Sequence, residues 1–264
     1  MDWGRAWEEI VELVFPPRCA LCDQLGEPAF CPRCLAQVEY LAPPYCVCCG
    51  RPLMPTADPH TLCGACRADR PRLEGARAVG LHTGVLRQAV LRLKFGRQRN
   101  LVRPLGELLA ARWAQEPGSP HALPWSALDA LLPVALHPRR RAWRGFDQAA
   151  LLSRELARHT GLRCREGVLL RVKDTPAQVG LSAAQRRENV RGAFSVKGIA
   201  AVRGARLLLL DDVWTTGATL GEAARALHRA GAREVYGLTL TRALPLWHLG
   251  SVVGLGDEED PEAS

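Results

Sequence analysis

Apolar residues recur at three-to-four spacing through Trp3, Trp7, Ile10, Val11 and Val14, which predicts a helix over 3–14. No such period continues into the next segment. Prolines at 16, 17, 28, 32, 43, 44, 52, 55 and 59 instead predict a loop-rich module. From about residue 76 apolar strands alternate with helical stretches, the pattern of an α/β fold with a mostly parallel sheet flanked by helices. A break near Pro71 is expected to divide the chain into an N-terminal helix with a small Cys-rich module (1–70), an α/β domain (71–244) and a tail (245–264).

Within the α/β part, Val85, Leu86, Ala89, Val90 and Leu93 form one helical face that ends at Lys94-Phe95-Gly96-Arg97. Leu105, Leu108, Leu109 and Trp113 mark a second helix, and 116–124 reads as a loop. A strand is expected over 128–136, followed by a basic loop. Next comes a helix from Asp147 to His159, with Asp147 at the N-cap and Gly161 past its last turn. Residues 173–185 lack an apolar period and read as a loop able to close over a bound ligand.

At 264 residues the chain is long enough to bury a core without disulfide support. No stretch approaches the roughly 20 apolar residues of a membrane-spanning helix, so a soluble protein without membrane insertion is expected. The acidic residues Asp2, Glu8 and Glu9 do not fit a signal peptide, which points to the cytoplasm. Net charge is +8, but Asp257, Glu258, Glu259, Asp260 and Glu262 crowd the C-terminus, where a solvated, disordered tail is expected. Without them the body sets 35 basic against 22 acidic side chains, a net +13. Only Lys94, Lys173 and Lys197 are lysines. The remaining basic residues are arginines, whose planar forks suit phosphate groups.

Nine of the ten cysteines lie within 19–66, and eight form the C-x-x-C pairs Cys19/Cys22, Cys31/Cys34, Cys46/Cys49 and Cys63/Cys66. Two intervening residues let one tight turn aim both sulfurs at a single ion, and two such knuckles complete a tetrahedral four-cysteine zinc site. Eight ligands predict two structural zinc ions, with no coordination position left for a catalytic water. A disulfide framework is the alternative, disfavoured without an oxidising compartment. Spacing leaves open whether the knuckles pair in order or interleave. Cys48 reads as a bystander and Cys164 as a buried thiol.

The segment Arg206-Leu207-Leu208-Leu209-Leu210-Asp211-Asp212-Val213-Trp214-Thr215-Thr216-Gly217-Ala218-Thr219 reads as a buried strand with two acids at its C-terminal end. A small-residue turn then opens a helix over 220–229. Ligands of open α/β sheets bind beyond the strand carboxyl ends, and free amides at a helix start, joined by threonine hydroxyls, cradle a phosphate. Neither a Walker A loop nor a G-x-G-x-x-G fingerprint is present.

This segment resembles the phosphoribosyl pyrophosphate (PRPP) motif of type I phosphoribosyltransferases. Pro133-Val134-Ala135-Leu136-His137-Pro138-Arg139-Arg140-Arg141-Ala142-Trp143-Arg144-Gly145-Phe146-Asp147-Gln148 resembles the ComF family of competence proteins. So does the stretch from Asp174-Thr175-Pro176 to Asn189-Val190-Arg191-Gly192-Ala193-Phe194. With the knuckles, the resemblance spans nearly the whole chain, except that the family usually has Asn at the position of Asp147. It implies a type I phosphoribosyltransferase-like fold behind a double zinc ribbon, with PRPP or a related phosphorylated sugar bound alongside Mg²⁺. Asp211 and Asp212 are then the catalytic candidates, on the ribose hydroxyls, with Thr215, Thr216, Gly217, Ala218 and Thr219 around the 5-phosphate. His137, Arg139 and Arg140 are the candidates for the pyrophosphate. The resemblance also implies a role in handling incoming single-stranded DNA beside other competence proteins. Two functions stay open: a Mg²⁺-dependent phosphoribosyltransferase of unknown acceptor, or a non-catalytic PRPP-sensing or single-strand-binding module. Trp143 and Phe146 are candidate stacking residues among the arginines, and equally candidate core.

Overall fold

The structure, a computed structural model, describes residues 16–58, 60–116, 122–176 and 181–244. The helix expected over 3–14 and the tail 245–264 lie outside the described residues. The cysteine-rich part has little regular structure, only the short helices α1 (Pro32–Leu35) and α2 (Gly64–Ala68). Beyond it, β1 (Gly75–Leu81), β2 (Ala130–Pro133), β5 (Arg206–Trp214) and β6 (Glu234–Arg242) form a four-stranded sheet in the order β1-β6-β5-β2, every pairing parallel. A separate antiparallel pair is made by β3 (Leu169–Arg171) and β4 (Phe194–Val196). The α/β expectation therefore holds, with a mostly parallel sheet and flanking helices.

The register places Leu208 opposite Leu131 on one side and Tyr236 on the other. Side chains alternate across a strand, so the four consecutive leucines of β5 supply both faces of the sheet. Leu208 and Leu210 pack with Leu86, Ala89, Val90 and Leu93 of α3 (Gly84–Lys94), Leu105 and Leu109 of α4 (Val102–Ala114), and Leu152 and Leu156 of α6 (Gln148–Thr160). Leu207 and Leu209 pack with Leu220, Ala223, Ala224 and Leu227 of α8 (Ala218–Arg229). Among the described residues no helix is long and apolar enough to cross a membrane.

Several boundaries differ from expectation. The strand over 128–136 shortens to Ala130–Pro133, because Leu136 N–H turns away to donate to Asp147 Oδ2 at 3.0 Å. The basic segment after it is a helix, α5 (Pro138–Arg144), not a loop. The second half of 173–185 winds into α7 (Ala183–Val190), whose start is fixed by reciprocal Ser182 and Gln185 bonds, a capping box. Residues 177–180 of that segment lie outside the described residues. Glu116, expected in a loop, is a buried carboxylate held between Arg77 Nε at 2.8 Å and Arg112 Nη2 at 2.6 Å.

The cysteine-rich part packs across the β1 edge. Leu41 N–H donates to Val79 O at 3.0 Å and Leu81 N–H to Glu39 O at 2.8 Å, so Glu39–Leu41 covers an otherwise open strand. Gly50 sits at φ +70° with a would-be Cβ 2.2 Å from Ala76 O, an approach only glycine permits. Cys19, Phe30, Cys31 and Cys34 join the core on the α3 face, while Cys46, Cys49, Cys63 and Cys66 join the core on the α8 face.

Candidate functional site

The knuckles pair in order. Cys19, Cys22, Cys31 and Cys34 form one quartet and Cys46, Cys49, Cys63 and Cys66 the other, with sulfurs in each within 4.8 Å of one another. A tetrahedron with Zn–S bonds of about 2.3 Å has edges of about 3.8 Å. Cys19 and Cys34 stand 3.8 Å apart, Cys22 and Cys31 3.7 Å, and Cys49 and Cys63 3.7 Å. These spacings fit two structural zinc ions and are far too long for disulfides of about 2.05 Å. Backbone amides of Leu21 and Cys63 point at the sulfurs of Cys19 and Cys46, as thiolate ligands require. Cys48 is buried outside both quartets, with its sulfur 3.8 Å from Leu73 O. Cys164 is half-buried, and desolvation pushes its thiol up to about 11, so it stays protonated and inert.

At the C-terminal end of β5 the two aspartates point to opposite faces, as strand alternation dictates. Asp212 is 4% exposed and faces the α3 and α6 side. Its Oδ1 is 2.7 Å from Lys94 Nζ at the end of α3, and its Oδ2 accepts from Gln148 Nε2 at 2.8 Å. Gln148 in turn accepts from Arg144 Nη1 at 2.5 Å. Asp211 is half-buried and accepts the Asp212 amide at 2.9 Å, with no ion pair among the described residues. Desolvation and the neighbouring Asp212 push its carboxyl up to about 7, against the pull of Lys94 and Arg171.

The turn beyond Trp214 is built on Gly217, which sits at φ +79° with a would-be Cβ 2.4 Å from the Trp214 ring. Thr216 Oγ1 accepts from Ala218 N–H at 3.4 Å, one residue ahead of the Gly217 N-cap of α8. The helix therefore opens at Ala218 rather than at Leu220, bringing Ala218 and Thr219 into its first turn. Thr215, Thr216, Gly217 and Ala218 line a cavity of about 580 Å³ that also touches the second cysteine quartet and α7.

The remaining candidates sit on and before α5. His137 caps that helix through Nδ1, 3.4 Å from Arg139 N, and lies 3.5 Å from Asp174 Oδ1. Arg139 is exposed and 3.4 Å from Asp174 Oδ2, while Arg140 donates to Thr175 O at 2.5 Å. All three thus brace the 174–175 segment beside β3. Buried Arg171 donates to Thr175 Oγ1 at 2.6 Å and senses the charges of both Arg140 and Asp211. Desolvation and the proximity of Arg140 hold its guanidinium below the ordinary range.

Phe146 is buried beneath the Arg99 guanidinium, 4.9 Å from its ring centre. Trp143 is 63% exposed and meets Phe95, 58% exposed, edge to face at 6.3 Å. Sequence reasoning missed Lys94, Gln148, Arg171 and Phe95. Lys94 was visible only as a basic residue at a helix end, although its being one of three lysines was a signal. Arg171 interrupts the apolar run Val168-Leu169-Leu170, and that lone charge was its signal.

Residues 10–67 match the double zinc ribbon domain family. The chain is 36% identical over 186 residues to competence protein F of Haemophilus influenzae, covering 69% of this chain and 78% of that protein. It is 34% identical over 192 residues to the DNA utilization protein YhgH of Salmonella typhimurium, covering 72% and 82%. Over 194 residues it is 25% identical to competence protein ComFC of Bacillus subtilis, covering 70% and 73%. Among solved structures, the allosteric regulatory enzyme of purine biosynthesis gives a TM-score of 0.38 at 22% identity, over 57% of this chain and 30% of that one. The glutamine PRPP amidotransferase of B. subtilis, complexed with ADP and GMP, gives 0.38 at 18% identity, over 66% and 43%. With its paired cysteine quartets and an identity that extends over more than two thirds of its length, the chain belongs to the competence protein F (ComF) family.

Proposed function

We propose that the protein binds PRPP, or a closely related phosphorylated sugar, with Mg²⁺ at the C-terminal edge of β5, and that it does so as a phosphoribosyltransferase-like protein of natural competence. One observation carries this reading. Asp211, the Thr215–Thr219 turn and the first turn of α8 follow one another at a single strand end, and Asp211 has no ion pair among the described residues. Amides of α8 and the hydroxyls of Thr215, Thr216 and Thr219 hold the 5-phosphate. Asp211 takes the ribose hydroxyls. Asp212, tied to Lys94 and Gln148, sets the strand end in place from the opposite face. His137, Arg139 and Arg140 serve the pyrophosphate, with Arg171 between them and Asp211.

The donor set fits Mg²⁺, since a carboxylate oxygen and hydroxyls are the hard ligands that ion prefers. Bound with the substrate, the ion offsets charge on the pyrophosphate leaving group. Relatives named for competence and DNA utilization support a setting in which incoming single-stranded DNA is handled in the cytoplasm, beside other competence proteins. Calorimetric titration of Mg²⁺-PRPP tests the site. Saturable binding is expected in the wild type and its loss in Asp211→Asn/Asp212→Asn, whereas no binding to either would end the reading.

The exposed Phe95 and Trp143 pair favours a second reading, a single-strand-binding module without transfer chemistry. The exposed Arg97 donates through Nη2 to Trp143 O at 2.9 Å, so a guanidinium stands beside the aromatic pair and base stacking and backbone charge coincide there. That reading expects affinity for single strands to fall by about 0.7 log unit per log of salt for each phosphate contacted. A flat salt response would sink it.

A further inference from the structure

The cavity that receives the Thr215–Ala218 turn is far larger than one phosphate and is walled by two elements the sugar-phosphate site does not use. One wall is the second cysteine ribbon, which contributes Arg51 and Arg70; the other is α7 with its C-cap, which contributes Arg186, Arg187 and Arg191. In all, eight arginines line it against two carboxylates, Asp69 and Glu222. Both acids are already engaged. Asp69 Oδ2 is 3.0 Å from Arg187 Nε, and Glu222 accepts the Gly192 amide at 2.9 Å and faces Arg225 at 3.3 Å. Arg51, Arg70 and Arg186 have no carboxylate partner among the described residues. The Nε atoms of Arg51 and Arg186 are shielded from water and make no hydrogen bond. A buried donor left without a partner is costly, and the thiolates Cys49 and Cys66 in the wall are committed to the metal site, so the Nε donors of Arg51 and Arg186 call for an acceptor inside the cavity.

We propose that this cavity is a second anion subsite. It would hold a phosphoryl group joined onward from the 5-phosphate on the turn, so that the site accepts 5′-diphosphates or a 5′-linked phosphodiester rather than only a terminal monoester. The inference rests on the turn being a phosphate site. Arg51 and Arg186 reach the second group from opposite walls, and the planar forks match its oxygens two at a time. The volume of about 580 Å³ lies within the range that encloses ligands larger than a single phosphate. The second ribbon thereby gains a role beyond folding, because its backbone carries Arg51 directly after Gly50 into the cavity wall.

The test is calorimetric titration of thymidine 5′-monophosphate, thymidine 5′-diphosphate, the 5′-phosphorylated dinucleotide pTpT and Mg²⁺-PRPP into the full chain. The wild type is compared with Arg51→Ala and Arg186→Ala, each checked for a native melting transition. The diphosphate or the dinucleotide is expected to bind about tenfold tighter than the monophosphate. Each variant should erase that preference, and Arg186→Ala alone decides if Arg51→Ala does not fold. Diphosphate preferred to dinucleotide assigns a free nucleotide as the source, and the reverse assigns a strand. Equal binding of all three thymidine ligands, or a preference retained in Arg186→Ala, overturns the subsite. Binding of Mg²⁺-PRPP without that preference overturns the subsite and leaves the sugar-phosphate site standing. An Arg186-dependent preference without PRPP binding supports the subsite and removes PRPP, and binding of nothing removes both.

Discussion

The ribbon part and the parallel sheet are held together by opposite means. In the sheet, Leu207, Leu208, Leu209 and Leu210 are wholly buried, and helices cover both faces with further leucines. The ribbon part has few large apolar side chains, short helices of 4 and 5 residues, and cores whose most buried members are cysteines. A segment of that size cannot bury enough apolar surface to fold unaided, so coordination supplies what packing does not. Yet the two parts are not separate bodies. The first quartet lies in the core on the α3 face and the second in the core on the α8 face, so the ribbons straddle the β1 edge.

The strongest way to break this comparison is to remove the metal. Chelation, or Cys46→Ser, is expected to unfold the second ribbon outright, since structural zinc sites in peptides contribute about 10–16 kcal/mol. Limited proteolysis should then cut within 16–70. Because the quartets share cores with the sheet, the melting temperature of the remainder should fall as well; an unchanged transition would show that the parts are independent.

Lys94→Met probes the sheet side. It leaves Asp212 buried without its cation, and breaking such a pair costs about 3–5 kcal/mol. Denaturant midpoints would register the loss, while a midpoint equal to the wild type would mean that Gln148 alone satisfies the carboxylate. Gly50→Ala tests the seam between the two parts. Its methyl would meet Ala76 O, and the resulting strain and displacement should cost about 1–3 kcal/mol without touching either quartet. Zinc content measured on the purified variant separates that effect from metal loss.

A further effect concerns Asp211 and depends on pH. Its carboxyl stands at about 7 in the folded protein and near 3.9 in an unfolded chain, so the folded state binds the extra proton between those values. Stability from this group is present at low pH and declines as pH rises toward 7. Asp211→Asn should therefore melt higher than the wild type at pH 8, by about 2–4 °C for each kcal/mol recovered, and close to it at pH 4. Equal differences at both pH values would contradict the desolvated carboxylate.

Much of the fold was legible because its signals are local. The face of α3, the N-cap at Asp147 and the C-cap at Gly161 each depend on residues within a turn or two, and all three are where the pattern put them. The cysteine pairs likewise read true as knuckles. The basic segment after β2 misled, since three successive arginines read as a solvated loop. The helix forms there because Pro138 and the His137 cap start it and Gly145, at φ +83°, ends it. At the site, the acids and the small-residue turn were evident, but their partners were not. Lys94 lies 118 positions before Asp212 in the sequence, and no periodicity links them.

By itself the sequence determined the two chemistries of this protein, eight thiolate ligands and an acid-tipped strand leading into a small-residue helix start. Spacing over a few residues dictates both, because one turn of backbone brings them together. Tertiary structure alone decided that the quartets pair in order, that Lys94 and Gln148 meet Asp212 while Asp211 has no ion pair among the described residues, and that arginines from a ribbon and from α7 meet at one cavity. Those outcomes depend on which elements pack against which face of the sheet. That choice is made by burial of the leucines of β5 and its flanking helices, on which those groups are carried.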